Sequence, residues 1–587
     1  MSLQRPDAMS GGGVLMTVIF LLLHGLQCVS TVEGATVIVV NSAAGQPVPD
    51  DDLTSLWEAI ESANASSVPT VIRFSPELAG TVIDISEQLP SLEASDTTID
   101  GDIDADEAPD VTIWNRTGEL KDGITIMSGS NVTIRGLHIR DFRGGIIIDG
   151  DGSNILVENN HVEVDANTLP TPPTSDVDRR GIECFGVPNR VTIRNNVVTM
   201  PPRGNYNRLP FPYATWQSGC TFRVGDRGRN TEPGSVARNL EITGNTFRNC
   251  GIGFDIRRNS CTIENATMAN NVVVGRLGLD TGLTPNANPG ETPHTQAMRG
   301  VRILRNRITD DRLEIITRGG ESHELSDILI AENDLQECGG FSLLDQSSGA
   351  ALDIGIERNV LRNCGDGISV QSVSPNPNSV RIRIIGNEIS NGIMGISLLN
   401  CNDIVTRDNV VEFNGGSGIS TNCGGEYRAN VIRFNRGHGM SLVGSQHCVI
   451  EASVIHENGR YGIYSSRTEN MTVSRCSITK NARAGIYFVG SVNGGILPPS
   501  LTGIDSSFVT GTTAAPDGSV VEIFSDPEDE GETYLGSTTV TDGTFSFAGT
   551  IPISGYVTAT VTDPEGNTSV FSGPLAPSVA VKDWRLH

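Results

Sequence analysis

Acidic and arginine side chains recur at matching points of a repeated phrase in the middle of this chain: Asp149, Glu183, Arg223, Asp255, Arg257, Glu314 and Arg318. Two carboxylates held a fixed distance apart can divide the work of general acid and general base. An arginine between them can hold an anionic group, or depress one carboxylate's pKa while the other stays higher. The same parts suit a β-elimination, in which a base takes the proton beside a uronate carboxyl and arginine neutralises that carboxyl. Glu183, Asp255 and Glu314 are therefore the candidate catalytic groups, and Asp149, Arg223, Arg257 and Arg318 the candidate substrate contacts.

A chain that repeats in space would bring these evenly placed residues together. "RIRIIGNEISNGIMGISLLNCN" (381–402) is followed by "DIVTRDNVVEFNGGSGISTNCG" (403–424), with the same order of alternating apolar residues, Asn, Asn-Gly turn and Gly-Ile-Ser. The Asn of this phrase recurs at 160, 196, 245, 271, 306, 333, 359, 387, 409 and 430; Leu137 precedes the series and Ser453 and Ser477 continue it. The shortest gaps are 21 to 23 residues, and longer gaps imply insertions. A period near 22 with short alternating strands is a solenoid signature. Each unit holds about three strands and buries its apolar face only by stacking on its neighbours. The expected fold is all-β, a right-handed parallel β-helix with the Asn side chains paired coil to coil. A leucine-rich repeat would need a leucine phrase that is absent.

In the Gly-started strand, alternate side chains point outward. The first outward column is expected to read Ile147, Glu183, Thr221, Asp255, Ser342 and onward to Tyr464 and Tyr487; the second reads Asp149, Phe185, Arg223 and Arg257. "DRLEIITRGG" admits two registers for Glu314 and Arg318. Coils stack about 4.8 Å apart, so Glu183 and Asp255, two coils apart in one column, should stand roughly 9 to 10 Å from each other with Arg223 between. That is the upper edge of the gap an inverting glycosidase uses.

Long insertions at 164–179, 201–217 and 275–298 leave the beat at one angular position and should wall a groove over these residues. Tyr206, Tyr213 and Trp216 in the second insertion suit sugar stacking, and His294 in the third is a candidate substrate contact. From 165 to 325 there are 20 Arg against 16 Asp plus Glu, in a chain of net charge −27. That local surplus suits an anionic substrate. The simpler account is that these charges pair across coils.

Both ends change character. "SLWEAIESAN", "TVIRF" and "LPSLEASDTTIDG" form a helix and strands that cap the open coil, and they resemble the N-terminal region of bacterial right-handed β-helix surface proteins, including polymorphic outer-membrane-like ones, over roughly 36–110. The remaining coils resemble the pectin-lyase-like superfamily through their repeat alone. After "GGILPPS", four strand phrases separated by turns read as an antiparallel β-sandwich similar to Ig-like modules of bacterial surface proteins. The expected division is 1–35 signal peptide, 36–110 cap and first coils, 111–497 β-helix, 498–575 sandwich and 576–587 tail.

"VLMTVIFLLL" (14–23) has signal-peptide length and is short for a membrane span, so the mature protein is expected outside the cytoplasm, secreted or at the cell surface. The acidic balance excludes a nucleic-acid partner. No CxxC pair points to zinc; Cys250, Cys338 and Cys364 share one phrase and Cys401 and Cys423 lie one beat apart, close enough for either bridges or stacked thiols. "DGDIDADE" (100–107) has alternating acids suited to Ca2+ but lacks the Gly and closing Glu of a calcium loop. The polygalacturonase, pectate lyase and alginate epimerase motifs are absent, so the resemblance transfers no catalytic residue. Two classes stay open: a secreted protein that binds or cleaves an acidic polysaccharide, and a non-catalytic adhesive rod contacting the cell-surface matrix.

Overall fold

The computed structural model describes residues 34–48, 51–117, 119–164, 180–201, 218–224, 234–256, 261–282, 296–318, 323–347, 351–372, 380–401, 403–490, 492–552 and 554–576. Successive coils stack into a parallel β-helix with three faces. One face is a sheet of sixteen described strands, from Thr36–Val40 to Glu469–Ser474. The other two belong to a second sheet of 27 described strands. They merge because Val272–Gly282 and Arg307–Arg318 run through the corner and pair on both sides of it.

Every Asn of the predicted series from Asn160 to Asn430 is at least 98% buried. The backbone N–H and side-chain amide of each donate to the Oδ1 of the next, as in Asn306 to Asn333 (2.9 and 3.0 Å) and Asn333 to Asn359 (3.0 and 2.9 Å). The residue before each ladder position takes a left-handed backbone, for example Asn159, Asn195, Asn270 and Arg358. That corner leaves the next N–H facing inward without a strand partner, and the stacked amides satisfy it. Ser453 holds its predicted place. The following position is Cys476, whose thiol bonds the equivalent carbonyls one coil on, those of Ile450 and Ser474, and not Ser477, which heads the next strand. A one-residue shift at the corner moves Ser477 to a ladder-free site. A second ladder, Asn414–Asn435–Asn458–Asn481, lines another corner of the last coils.

The helix predicted at the start is Leu56–Ala65, opened by a reciprocal capping box between Ser55 and Glu58. It buries Leu56, Ala59, Ile60 and Ala63 over the first coil and so covers its open edge. At the other end two three-stranded antiparallel sheets, built from segments between Ser500 and Thr562, enclose their own core. They close the last coil. Glu522 accepts from Ser474 and from the Arg475 N–H, and Glu530 accepts from the Asn481 N–H and so ends the second ladder. The ten described cysteines are buried and unbridged; the Cys338 and Cys364 sulfurs lie 3.3 Å apart. Among the described residues no helix is long and apolar enough to cross a membrane.

Candidate functional site

The outward face carrying the predicted residues is built by Gly144–Asp149, Arg180–Phe185, Ser218–Val224, Gly251–Ile256 and the C-terminal halves of the two corner-crossing strands. Ladder register fixes its two columns. The first runs Ile147, Glu183, Thr221, Gly253, Gly278, Glu314 and Ser342. The second runs Asp149, Phe185, Arg223, Asp255, Asp280 and Ile316. Asp255 therefore stands in the second column beside Arg223, not above Glu183. "GIGFD" offers two starting glycines. Counting from Gly251 buries Ile252 and Phe254 together, whereas counting from Gly253 places Asp255 in the wrong column.

Arg223 lies between Glu183 and Asp255 as the spacing implied. Its Nη1 is 3.5 Å from the Glu183 carboxylate and its Nε 3.9 Å from that of Asp255. Arg180 reaches Glu183 from the other side at 3.8 Å. Glu183 is fully buried, so it meets two guanidiniums and no solvent. Such a group orients Arg223. Asp255 is 5% exposed and lines a cleft together with Ser218, Thr221, Arg223, Arg276 and Asp280. Gly253 and Gly278 form its floor. A Cβ on Gly253 would stand 2.5 Å from the Gly278 carbonyl oxygen, and one on Gly278 only 3.1 Å from Arg276 Nε. Two bare backbones side by side leave the notch that Arg276 occupies.

Arg276 pairs with Glu314 at 2.7 Å, both largely buried. Burial pushes its guanidinium below the ordinary value, against the pull of Glu314 and Asp280. Arg318 continues past the second column and folds back on Asp280 at 3.3 Å. The register places Glu314 in the first column, between Gly278 and Ser342. Asp149 begins the second column, two coils before Arg223. Arg257, Tyr206, Tyr213, Trp216 and His294 lie outside the described residues, as do the inner parts of the three insertions. Arg276 and Asp280 were missed by sequence reasoning. The signal was present: "GIGFDI" and "RLGLDT" are one phrase, each with Gly and Asp two residues apart. Burial and the nearby Glu183 hold the Cys184 and Cys220 thiols far above their usual range, which removes thiolate chemistry here.

Residues 95–208 match the family model described as "Right handed beta helix region". The chain is a right-handed parallel β-helix protein. Residues 346–497 of this β-helix also match the model described as "Periplasmic copper-binding protein (NosD)". No curated protein matches the sequence. Similar solved structures include the periplasmic alginate epimerase AlgG (12% identity, 78% of this chain and 83% of that one, TM-score 0.31). A tailspike mutant of E. coli bacteriophage HK620 in complex with pentasaccharide gives 11% identity, 86% and 88% coverage and TM-score 0.37. PfbA, a surface adhesin of Streptococcus pneumoniae, gives 12%, 89% and 95%, and 0.31.

The acids of "DGDIDADE" organise their own loop. Asp102, Asp104 and Asp106 cluster, and their carboxylates accept from the backbone N–H groups of Asp106, Glu107 and Ala108.

Proposed function

We propose that this β-helix protein acts outside the cytoplasm, where it binds an anionic polysaccharide along the cleft and cleaves it by β-elimination. The observation that carries the reading is that Asp255, Arg223 and Arg276 line one cleft, with Arg223 Nε 3.9 Å from the Asp255 carboxylate, above a floor of two glycines. A uronate carboxylate seated on Arg223 and Arg276 has its charge neutralised, which acidifies the adjacent C–H. Asp255 takes that proton as base, the electron pair left on C5 forms the C4–C5 double bond, and the C4–O bond breaks, the leaving sugar oxygen taking a proton from water; Glu183 holds Arg223 in place from behind. Arg318, about a third exposed and paired with Asp280, extends the anionic track. The apolar run at 14–23 supports export.

A second reading rests on the register of Asp255 with Asp280. Two carboxylates one coil apart, about 4.8 Å at the backbone, fit the close pair of a retaining hydrolase. Incubating the mature protein with a panel of uronans and sulfated glycans separates the cases. Unsaturated product absorbing in the ultraviolet supports elimination, and new reducing ends without it support hydrolysis. Retention without turnover makes the protein an adhesive rod and removes the enzymatic reading. Asp255→Asn abolishes either reaction, Asp280→Asn abolishes only hydrolysis, and Glu183→Gln weakens without abolishing. Unchanged rates in Asp255→Asn refute the site.

A further inference from the structure

On a different face of the rod, three consecutive coils place Thr112, His138 and His161 directly over one another in ladder register. His138 and His161 stack with ring centroids 4.5 Å apart and planes within 3°. Glu163, two residues after His161 on the same side of its strand, brings Oε2 to 3.2 Å from His138 Nε2. One ligand atom from each of the three lies within 4.8 Å of the other two. The His138 and Glu163 side chains keep 25% and 33% of their surface exposed.

We propose that His138, His161 and Glu163 form a binding site for a divalent transition-metal ion of the zinc class. Two imidazoles and one carboxylate are a ligand set that such ions accept, and calcium or magnesium, which prefer oxygen alone, do not. Thr112 Oγ1 lies 3.5 Å from His138 Nδ1, so the hydroxyl holds the rear nitrogen and turns Nε2 toward the carboxylate. That is the arrangement by which an outer partner orients a metal-bound histidine. An imidazole nitrogen binds a metal in its own ring plane, so ligand bonds of about 2.0 to 2.2 Å require the two rings, parallel in the metal-free protein, to turn out of parallel until both planes meet at the ion. Arg140, 3.5 Å from Glu163 Oε2, is the competing cation in the metal-free state; it also lies 4.5 Å over the Trp114 ring, where it can rest when metal takes the carboxylate. Three protein ligands on an exposed face leave the fourth position to water, the pattern of an open site rather than a closed structural one. The site lies on a different face from the cleft and outside residues 346–497, so neither the polysaccharide reading nor the copper-binding match bears on it.

The test is calorimetric titration of the full mature chain with Zn2+ alone, with Co2+ absorption as a check on ligand number. Wild type takes up one equivalent that His138→Gln/His161→Gln loses, while its circular dichroism and metal-free melting temperature stay at wild-type values. Glu163→Gln, which leaves the ring stack intact, weakens binding tenfold or more and covers the case in which the double variant does not fold. Zn2+ raises the melting temperature of wild type and not of the variants. Absence of zinc uptake by wild type overturns the proposal, and so does an equivalent bound with unchanged affinity in Glu163→Gln.

Discussion

Replacing Asn333 with Ala should open the rod locally without unfolding it. The Asn333 side chain is 99% buried. Its Oδ1 accepts from the backbone and side chain of Asn306, and its amide donates to the Ile303 and Ala331 carbonyls and to Asn359 Oδ1. Alanine removes all five bonds. The buried Asn306 N–H then has no acceptor, which costs about 2 kcal/mol, and the other four losses cost about 0.5 kcal/mol each, giving about 4 kcal/mol in all. A solenoid melts in parts, so a global denaturation midpoint would blur this loss. Hydrogen exchange at the Asn306 amide reads it directly and should accelerate about a thousandfold. Asn333→Ser should lose about half as much, since Ser453 fills the same role with a hydroxyl. An Asn306 amide that exchanges within tenfold of wild type in Asn333→Ala refutes the ladder's energetic role.

The terminal junction should respond to pH. Burial pushes the Glu530 carboxyl up to about 7, with Asp526 and Asp529 adding to the shift and the Asn481 bonds opposing it. A raised folded-state value means that the native state holds the proton longer, so docking is strongest below the unfolded value near 4.5 and weakens as pH rises to about 7. Amides of 478–481 should show more protection at pH 5 than at pH 8, with a reduced slope in Glu530→Gln; an identical slope contradicts the assignment. Gly253→Val should lower stability and close the cleft, because its Cβ meets the Gly278 carbonyl; a variant with wild-type melting and glycan retention counts against the glycine floor. Ser55→Ala should cost about 1 kcal/mol through loss of the helix N-cap, read as faster hydrogen exchange at the amides of Leu56–Ala65, and unchanged exchange there contradicts it.

The period of the coils was legible because one buried polar residue, repeated at each corner, outlines the stack. Ser477 failed because a cysteine can hold a ladder place as well as asparagine, and nothing in "SRCSIT" says which residue turns the corner. The columns were legible where each strand has a single starting glycine, as at Glu183 and Arg223. They were misread at Asp255, where two glycines allow two counts and only the joint burial of Ile252 and Phe254 chooses between them. Arg276 escaped because it pairs across the corner with Glu314, a contact set by one long strand serving two faces.

In the proposed function Arg223 and Arg276 in the cleft and Arg318 beside it seat an anionic sugar chain. Calorimetric titration compares wild type with Arg318→Gln, using the uronan or sulfated fragment best retained by the panel. Removing one charge-assisted contact of about 1.5 to 3 kcal/mol should weaken binding roughly 10- to 100-fold and make it less salt-dependent. Equal affinity and equal salt dependence in the two proteins would contradict it.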